Sequence, residues 1–329
     1  MKESQTLKRP TFQDVLKARK IVSKYLLKTP LLYSAPLSQM LGCEVSIKYE
    51  NHQPIGAFKI RGGINLLASL KEEGETRGVM TASTGNHGQS IAYAAKLFGI
   101  PAIIVVPEES NPDKVAAMRN LGAEIIFYGK DFDESRVRCE ALALEKGYRY
   151  VHPANEPRLI AGVGTIGLEI LEDLPDVDVI ISPIGGGSGV CGNAIVAKAI
   201  NPKIRVIGVQ AEKAPAVYLS WKAGKMVETA RSDTFAEGLA TRVPFELTFG
   251  MISDLIDEIV LVSEEEMRRA ILLLLEKTHH VAEGAGAAST AAALKMKESL
   301  RGKKVALVLS GGNLPLSTLK QIINESEPW

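Results

Sequence analysis

The sequence predicts an α/β fold with two domains, each a mostly parallel twisted sheet flanked by helices. Three observations lead to this prediction. The chain has 329 residues, which is enough for about two domains of roughly 150 residues each. Short β-branched runs alternate with longer amphipathic stretches, which is the order of parallel sheets wrapped by helices. The runs AIIVV, VIIS and VALVL are apolar throughout, as in strands that helices cover on both faces.

The individual elements follow from these patterns. An N-terminal helix is predicted to start at Thr11 as its cap, with Asp14 as the capping partner three residues on. The β-branched runs predict strands at Val45–Glu50, Val79–Ala82, Ala102–Val106, Glu124–Tyr128, Val177–Ser182, Ile204–Gln210, Glu258–Val262 and Lys304–Leu309. The amphipathic stretches predict helices at Lys59–Leu70, Gly88–Phe98, Pro112–Leu121, Asp133–Lys146, Val163–Leu174, Val190–Ile200, Glu264–Thr278, Ala285–Glu298 and Leu316–Ile323.

Charge and cysteine content argue against several classes of protein. Lys and Arg number 39 and Asp and Glu 38, which gives a formal charge of +1, so no nucleic-acid or acidic-membrane partner is indicated. The three Cys residues match neither a zinc spacing nor a disulfide framework, which favours a reducing, cytoplasmic setting. The first residues contain no apolar leader, and the ILLLL run at 271–275 is too short to span a bilayer.

A polar turn directly after the predicted strand Val79–Ala82 reads STGNHG, from Ser83 to Gly88. Small hydroxyls, Gly and Asn between a strand and a helix present several main-chain N–H groups at the start of the helix. Such a turn suits a carboxylate or a phosphate. An ordinary helix cap explains the same residues equally well when the turn is taken alone.

Two further turns are rich in glycine. The turn from Gly185 to Gly189 reads GGGSG after an apolar strand and is interpreted as a phosphate-binding loop rather than a flexible loop, because glycine lets the backbone approach closely. No Gly-Lys-Ser/Thr follows, so it is not a nucleoside-triphosphate loop. The turn from Ser310 to Asn313 reads SGGN.

The segment Gly162–Gly167 fits G-x-G-x-x-G but follows a loop, so its glycines are interpreted as helix-packing positions rather than an NAD site.

Lys59 stands at the start of a predicted helix, after a turn that contains Pro and Gly. The helix dipole disfavours a cation at that end, and burial would also lower the pKa of the amine. A lowered pKa is what a Schiff-base nucleophile needs. A solvated side chain is the simpler interpretation of one lysine alone, but here the lysine occurs together with a phosphate-type loop and a carboxylate-type turn.

Four segments occur in one order along the chain: GAFKIRG from Gly56, STGNHGQ from Ser83, GGGSG from Gly185 and SGGN from Ser310. Together they resemble the threonine/serine dehydratase and serine racemase family of pyridoxal-phosphate (PLP) enzymes, which have the fold type II architecture of tryptophan synthase β chains. The similarity covers nearly the whole chain. It implies a large cofactor-binding domain at 1–77 plus 155–329 and a small substrate-capping domain at 78–154.

The resemblance also implies a role for each matching residue. The catalytic residues would be Lys59, which carries PLP and acts as general base, Thr84 and Ser83. The cofactor-binding residues would be Phe58, Lys59, Asn86, Gly185, Gly186, Gly187, Ser188, Gly189, Gly238, Glu283 and Ser310. The residues at the substrate carboxylate would be Ser83, Thr84, Gly85, Asn86 and His87. In this arrangement Phe58 and Gly238 lie on opposite faces of the pyridine ring, and Ser310 faces its nitrogen.

The activity implied by the resemblance is that of an ammonia-lyase, which converts L-threonine, L-serine or a related 3-hydroxy amino acid to a 2-keto acid and ammonia. Amino-acid racemisation is an open alternative, because Thr84 keeps a hydroxyl where racemases have Ser and dehydratases usually have Ala. A nicotinamide-binding or non-catalytic α/β protein is a remote alternative. Of the family's divalent-cation loop, Glu212 and the Ala216 carbonyl match while the aspartate is missing, which argues against a structural metal. The resemblance implies a homodimer or higher homo-oligomer.

Overall fold

The computed structural model of the chain describes residues 8–327, apart from the side chain of Asp133. By packing, the chain divides into two units. The first unit consists of the described part of Met1–Leu26 together with Lys59–Val163, and the second of Leu27–Phe58 together with the described part of Gly164–Trp329. Each unit contains one sheet, which confirms the predicted α/β class. Among the described residues, no helix is both long and apolar enough to cross a bilayer.

Strands and helices alternate along most of the chain. The strands are β1 (Leu31–Tyr33), β2 (Glu44–Tyr49), β3 (Val79–Ala82), β4 (Ala102–Val106), β5 (Glu124–Phe127), β6 (Arg149–Tyr150), β7 (Val179–Pro183), β8 (Arg205–Ala211), β9 (Glu258–Val262) and β10 (Lys304–Leu309). The α-helices are α1 (Phe12–Val22), α2 (Ala35–Leu41), α3 (Ile60–Glu72), α4 (Asn86–Phe98), α5 (Pro112–Asn120), α6 (Phe132–Lys146), α7 (Pro157–Val163), α8 (Thr165–Asp173), α9 (Ser188–Ile200), α10 (Ala216–Ala223), α11 (Glu246–Leu255), α12 (Glu264–Thr278), α13 (Gly284–Lys295), α14 (Lys297–Leu300) and α15 (Leu316–Glu325). Short 3-10 turns lie at Glu50–His52 and Glu237–Leu239.

The first unit is built on a four-stranded parallel sheet with the strand order β5-β4-β3-β6. β3 and β4 lie in the centre, and Met80 and Ile103 from these strands pack with Cys139 of α6 in one buried cluster. Both strands have the predicted limits, because all of their residues are buried and therefore apolar or small. β6 consists of two half-buried residues, and no apolar run marks it in the sequence.

Helices α1, α3 and α7 pack together in the first unit, which therefore extends beyond the limits 78–154 predicted for the small domain. The contact between α3 and α7 depends on glycine. A Cβ atom on Gly62 would lie 2.8 Å from the carbonyl oxygen of Leu159, and one on Gly162 would lie 2.6 Å from that of Arg61. A larger residue at either position would push the two helices apart.

The G-x-G-x-x-G segment Gly162–Gly167 runs across the junction of α7 and α8 and does not follow a strand. Gly167 lies against α9, where an added Cβ would come within 3.2 Å of the Asn193 Cα. These contacts confirm that Gly162 and Gly167 are helix-packing positions. The helix predicted at Val163–Leu174 is α8, which runs from Thr165 to Asp173, whereas the preceding helix α7 was not predicted; the chain passes from the first unit to the second after Val163.

The second unit is built on a six-stranded sheet with the order β1-β2-β10-β7-β8-β9. Only β1 runs antiparallel, at the edge beside β2. β1 was not predicted, because it is three residues long and two of them, Leu32 and Tyr33, are exposed. Helix α13 packs on β7 and β10, and its fully buried Ala287, Ala288 and Ala291 let the helix lie close to the sheet.

A buried ion pair joins β2 to α8 inside the second unit. The Lys48 Nζ lies 2.6 Å from the Glu169 Oε2, and the two side chains are 0% and 2% exposed. The same ammonium donates a hydrogen bond to the Thr29 carbonyl at 2.7 Å. The carboxyl ends of β2, β10 and β7 are neighbours in this sheet, so the turns that follow them share the edge where α/β proteins bind ligands.

Candidate active site

The glycine-rich loop after β7 forms a tight cradle at the start of α9. Gly187 has a φ of +92°, in the left-handed region that favours glycine, and a Cβ there would lie 2.9 Å from the Thr248 Cβ. A Cβ on Gly185 would lie 2.0 Å from the Gly238 carbonyl oxygen. Thr248 donates a hydrogen bond to the Gly186 carbonyl at 2.8 Å and so fixes the loop. Any side chain larger than a hydrogen atom would fill this cradle. Because the residues are glycines, the cradle stays open and suits the close approach of a phosphate to main-chain N–H groups.

The Phe58 ring lies beside the same loop. A Cβ on Gly189 would come within 3.2 Å of the ring, so glycine is what lets the aromatic ring approach the first turn of α9. The main-chain N–H of Phe58 donates to the Ser310 carbonyl at 3.0 Å. The loop after β2 is thereby tied to the turn after β10, while Ser310 itself is buried.

Glu283 completes this group of residues in the second unit. It caps α13, and its main-chain N–H donates to the Gly311 carbonyl at 3.1 Å. A Cβ on Gly238 would lie 4.0 Å from the Glu283 Oε1. The structure therefore brings together those predicted cofactor residues that belong to the second unit, namely Phe58, Gly185, Gly186, Gly187, Ser188, Gly189, Gly238, Glu283 and Ser310.

The turn after β3 in the first unit leads into α4. The Ser83 Oγ accepts hydrogen bonds from the N–H groups of Gly85 at 3.2 Å and Gly88 at 3.0 Å, so this hydroxyl holds the turn in shape. Asn86 and His87 are the first two residues of α4, and N–H groups in a first helical turn have no partner within the helix. The turn, with Thr84 at its tip, therefore presents donors suited to an anion.

The His87 side chain is held inside the first unit as a neutral imidazole. Its Nε2 lies 3.0 Å from the Thr81 Oγ1, and Thr81 donates its own proton to the Val151 carbonyl at 2.8 Å. The His87 Nε2 must therefore be the donor in this pair. Burial, helped by the charge of Lys59, lowers the pKa of His87 to about 3. His87 can thus contribute its main-chain N–H to an anion, but its ring contributes no positive charge.

Lys59 stands at the cap position of α3, directly after Phe58 in the chain. Its carbonyl accepts a hydrogen bond from the Ser90 Oγ at 2.7 Å, which ties the residue to α4. Desolvation lowers the pKa of the Lys59 amine from 10.5 to about 8, the direction expected from the sequence. A substantial fraction of this amine is therefore neutral at moderately alkaline pH, which makes it able to act as a nucleophile or a base.

Three residues with supporting contacts were missing from the sequence analysis: Thr81, Ser90 and Thr248. Each acts through one hydrogen bond to a predicted residue or to the loop that holds it. Thr and Ser are common at such positions in any α/β protein, so the sequence carries no signal that separates them from other buried hydroxyls. Their partners lie between 6 and 62 residues away in the chain.

The residues predicted at the cation loop lie at the end of β8 and the start of α10. The Glu212 Oε1 lies 3.2 Å from the Lys295 Nζ, which also donates to the Leu261 carbonyl at 2.9 Å. Ala216 is the first residue of α10. Within residues 8–327, no group of three or more His, Cys, Asp or Glu side chains is placed to hold a metal ion.

The glycine cradle and the aromatic ring beside it lie in the second unit, and the desolvated Lys59 amine follows that ring directly in the chain. A PLP site requires residues of these types, so they fit this cofactor. A family model described as "Pyridoxal-phosphate dependent enzyme" matches residues 22–311. The chain belongs to this family, which confirms the resemblance derived from its four segments.

Individual relatives agree with this membership. The chain is 45% identical over 315 residues to an L-threonine ammonia-lyase of Thermotoga maritima, covering 96% of this chain and 78% of the relative. Among solved structures, maize serine racemase matches with a TM-score of 0.91 and 34% identity, covering 97% of this chain and 98% of the other. The processed form of threonine deaminase isoform 2 from Solanum lycopersicum matches with a TM-score of 0.90 and 33% identity, covering 97% and 96% of the two chains.

Proposed function

We propose that this chain is a PLP-dependent ammonia-lyase that converts L-threonine, L-serine or a related 3-hydroxy amino acid to a 2-keto acid and ammonia. The observation that carries the proposal is the Lys59 amine, whose pKa desolvation lowers to about 8. The relative named L-threonine ammonia-lyase, at 45% identity, supports the reaction type.

The chain's residues divide the work between binding and proton transfer. When bound, PLP withdraws electrons from the Cα of the amino acid and makes its proton easier to remove. Main-chain N–H groups of the Gly185–Gly189 loop would hold the phosphate, and those of the turn that contains Thr84 would hold the substrate carboxylate. Lys59 would then accept the Cα proton at its Nζ, because a base with a pKa near the working pH transfers protons most efficiently.

Ser310 gives the reaction its proposed direction. Its hydroxyl would face the pyridine nitrogen, and a neutral hydroxyl does not hold that nitrogen protonated as a carboxylate would. Negative charge at Cα would then be less stabilised, so Ser310 would favour loss of the hydroxyl on the neighbouring carbon over return of a proton to Cα.

Racemisation is the second candidate function. It rests on the hydroxyl of Thr84 and on the similarity to maize serine racemase at 34% identity. The experiment that separates the two candidates measures pyruvate and D-serine together from L-serine, in the wild type and in Thr84→Ala. Pyruvate as the main product in both proteins supports the lyase, whereas dominant D-serine that disappears in Thr84→Ala supports the racemase.

Lys59→Ala tests the proposed chemistry directly. We expect this variant to form no 2-keto acid from L-threonine, L-serine, 3-hydroxyaspartate or phenylserine, while the wild type acts on at least one of the four. The same panel identifies the preferred substrate. Undiminished activity of Lys59→Ala would remove the lysine from its proposed role.

We also propose that Lys295, rather than a divalent cation, neutralises Glu212. The 3.2 Å contact between the Lys295 Nζ and the Glu212 Oε1 supports this. Exhaustive treatment with EDTA should therefore leave activity unchanged, and activity that is lost and then restored by Mg²⁺ would contradict the proposal. The cytoplasmic setting and the homo-oligomer stay predictions. Sedimentation of the holoenzyme tests the homo-oligomer directly.

A further inference from the structure

Two imidazoles meet in the second unit at a place that the proposed reaction does not use. His52 lies in the 3-10 turn after β2, and His280 lies between α12 and α13. Their Nε2 atoms are 3.0 Å apart. His52 is exposed and His280 is half-buried, so a small solute from the solvent can reach this pair of nitrogens.

The surrounding contacts fix which nitrogen of His280 carries the proton. Its Nδ1 lies 2.5 Å from the Thr278 carbonyl oxygen, and a carbonyl only accepts, so the proton is on Nδ1. The Nε2 of the neutral ring then directs a lone pair at His52. A backbone carbonyl on the second ring nitrogen is the usual arrangement around a metal-binding histidine. The Tyr49 ring packs against His280 with centroids 4.0 Å apart and the planes tilted by 30°, which limits the movement of the His280 ring.

The spacing of the two nitrogens suits one shared ion. Two nitrogen ligands about 2.0–2.1 Å from a transition metal are about 2.9 Å apart in a right-angled arrangement and about 3.3–3.4 Å apart in a tetrahedral one. The observed 3.0 Å between the His52 and His280 Nε2 atoms lies between these values. A movement of a few tenths of an ångström would satisfy either geometry, and His52 stands on the surface where such a movement is easy.

The other histidines of the chain, which has five in all, have different surroundings. His87 is buried and its Nε2 bonds Thr81. The His152 Nδ1 accepts hydrogen bonds from the N–H groups of Ala154 and Asn155 at 3.0 and 2.9 Å. His279 is exposed beside the pair and therefore provides a matched control.

We propose that His52 and His280 form a two-histidine binding site for a first-row transition cation such as Ni²⁺, Cu²⁺ or Zn²⁺, with water completing the coordination. Coordination at both Nε2 atoms requires the His52 proton to move from Nε2 to Nδ1 by exchange with the solvent, so both rings stay neutral and no net proton is released. The bound ion would join the segment that leads to Phe58 to the segment that leads to Glu283. The Asn51 amide already links these segments through the Val281 carbonyl, at 3.3 Å.

Titration of the PLP-loaded enzyme with Ni²⁺ by calorimetry tests the site. We expect one Ni²⁺ per chain in the wild type, at least about a 10-fold loss of affinity in His52→Ala and in His280→Ala, and wild-type affinity in His279→Asn. Asn is the right control at 279 because this residue has a φ of +60°, which Asn tolerates. Mg²⁺, which prefers oxygen ligands, should give no binding at this site.

Thermal unfolding gives a second, independent measurement. Ni²⁺ should raise the melting temperature of the wild type and of His279→Asn but not of His52→Ala. The exposed position of His52 keeps this variant folded, and its visible PLP absorption verifies that. Wild-type Ni²⁺ affinity in His52→Ala would overturn the proposal, as would a loss of binding in His279→Asn equal to that in His280→Ala.

Discussion

At the scale of single residues, desolvation of Lys59 is the effect with the clearest chemical consequence. A lysine amine in water stays protonated at neutral pH and is a poor nucleophile. Desolvation lowers the pKa of Lys59 from 10.5 to about 8, which makes the neutral amine accessible at mildly alkaline pH. The surroundings of Lys59 therefore prepare it for reaction.

The first prediction concerns the pH dependence of cofactor uptake by the enzyme stripped of PLP. Only the neutral Lys59 amine attacks the PLP aldehyde, so the rate of uptake should rise with pH and reach half of its maximum near pH 8. The measurement is the growth of visible absorbance after mixing with PLP across neutral and alkaline pH. A midpoint near the ordinary lysine value of 10.5 would contradict the desolvation of this amine.

The hydrogen bond from His87 to Thr81 is the second residue-scale feature that can be tested. Thr81→Val keeps the shape of the side chain but leaves the buried His87 Nε2–H without its acceptor, which costs about 1–3 kcal/mol of unfolding free energy. Urea unfolding of the enzyme measures this loss. Thr81→Ser restores the hydroxyl and should recover most of the stability; equal losses in Val and Ser variants would instead point to packing.

At the scale of elements, the backbone of the turns determines what they can bind. The loop at the start of α9 combines a φ of +92° at Gly187 with close contacts on Thr248 and Gly238. The loop is therefore shaped by the neighbouring elements as well as by its own glycines. These contacts all lie within the second unit. We therefore expect the substitution of one glycine in this loop to weaken cofactor binding before it affects other properties of the protein.

Gly187→Ala provides the test at this scale. We expect the variant to lose PLP during dialysis, because the added Cβ would lie 2.9 Å from the Thr248 Cβ and distort the cradle. Gly224→Ala is the matched control, since Gly224 also has a positive φ, +64°, but has open space around it. Both variants carry the left-handed strain of about 1–2 kcal/mol. Loss of PLP from both to the same extent would mean that strain, not close approach, governs retention.

The Lys48–Glu169 pair between β2 and α8 makes a further prediction for these elements. Glu169→Gln removes the charge opposite a fully buried ammonium, and an unpaired buried charge costs about 3–5 kcal/mol. The more exposed pair Arg205–Glu258 is the control, where Glu258→Gln should cost about 0–1 kcal/mol. Urea unfolding compares the two variants with the wild type, and similar losses would argue against the special role of the buried pair.

At the scale of the whole molecule, continuous apolar runs made the sheet framework predictable. β3, β4 and β10 have the predicted limits, because strands covered on both faces leave an unbroken apolar signal. β9, which is partly buried at the sheet edge, also has the predicted limits. The elements that were missed, such as β1 and α11, are short or lie in irregular stretches, and tertiary packing rather than local pattern defines them. The same division holds for the site. Turns after strands could be located, whereas the hydroxyls of Thr81 and Thr248 have roles only through their partners on other elements, His87 and Gly186.

The construction of the anion sites from main-chain N–H groups has a kinetic consequence. Turns built from main-chain N–H groups carry no formal charge and add no long-range field of their own, so they do not steer ligands through solution. An amino acid at neutral pH is a zwitterion and gains nothing from such a field. The enzyme should therefore capture its substrate by unguided diffusion, with an encounter rate that hardly responds to ionic strength. Its selectivity would arise entirely after contact, from the shape of the turns and the direction of their N–H groups.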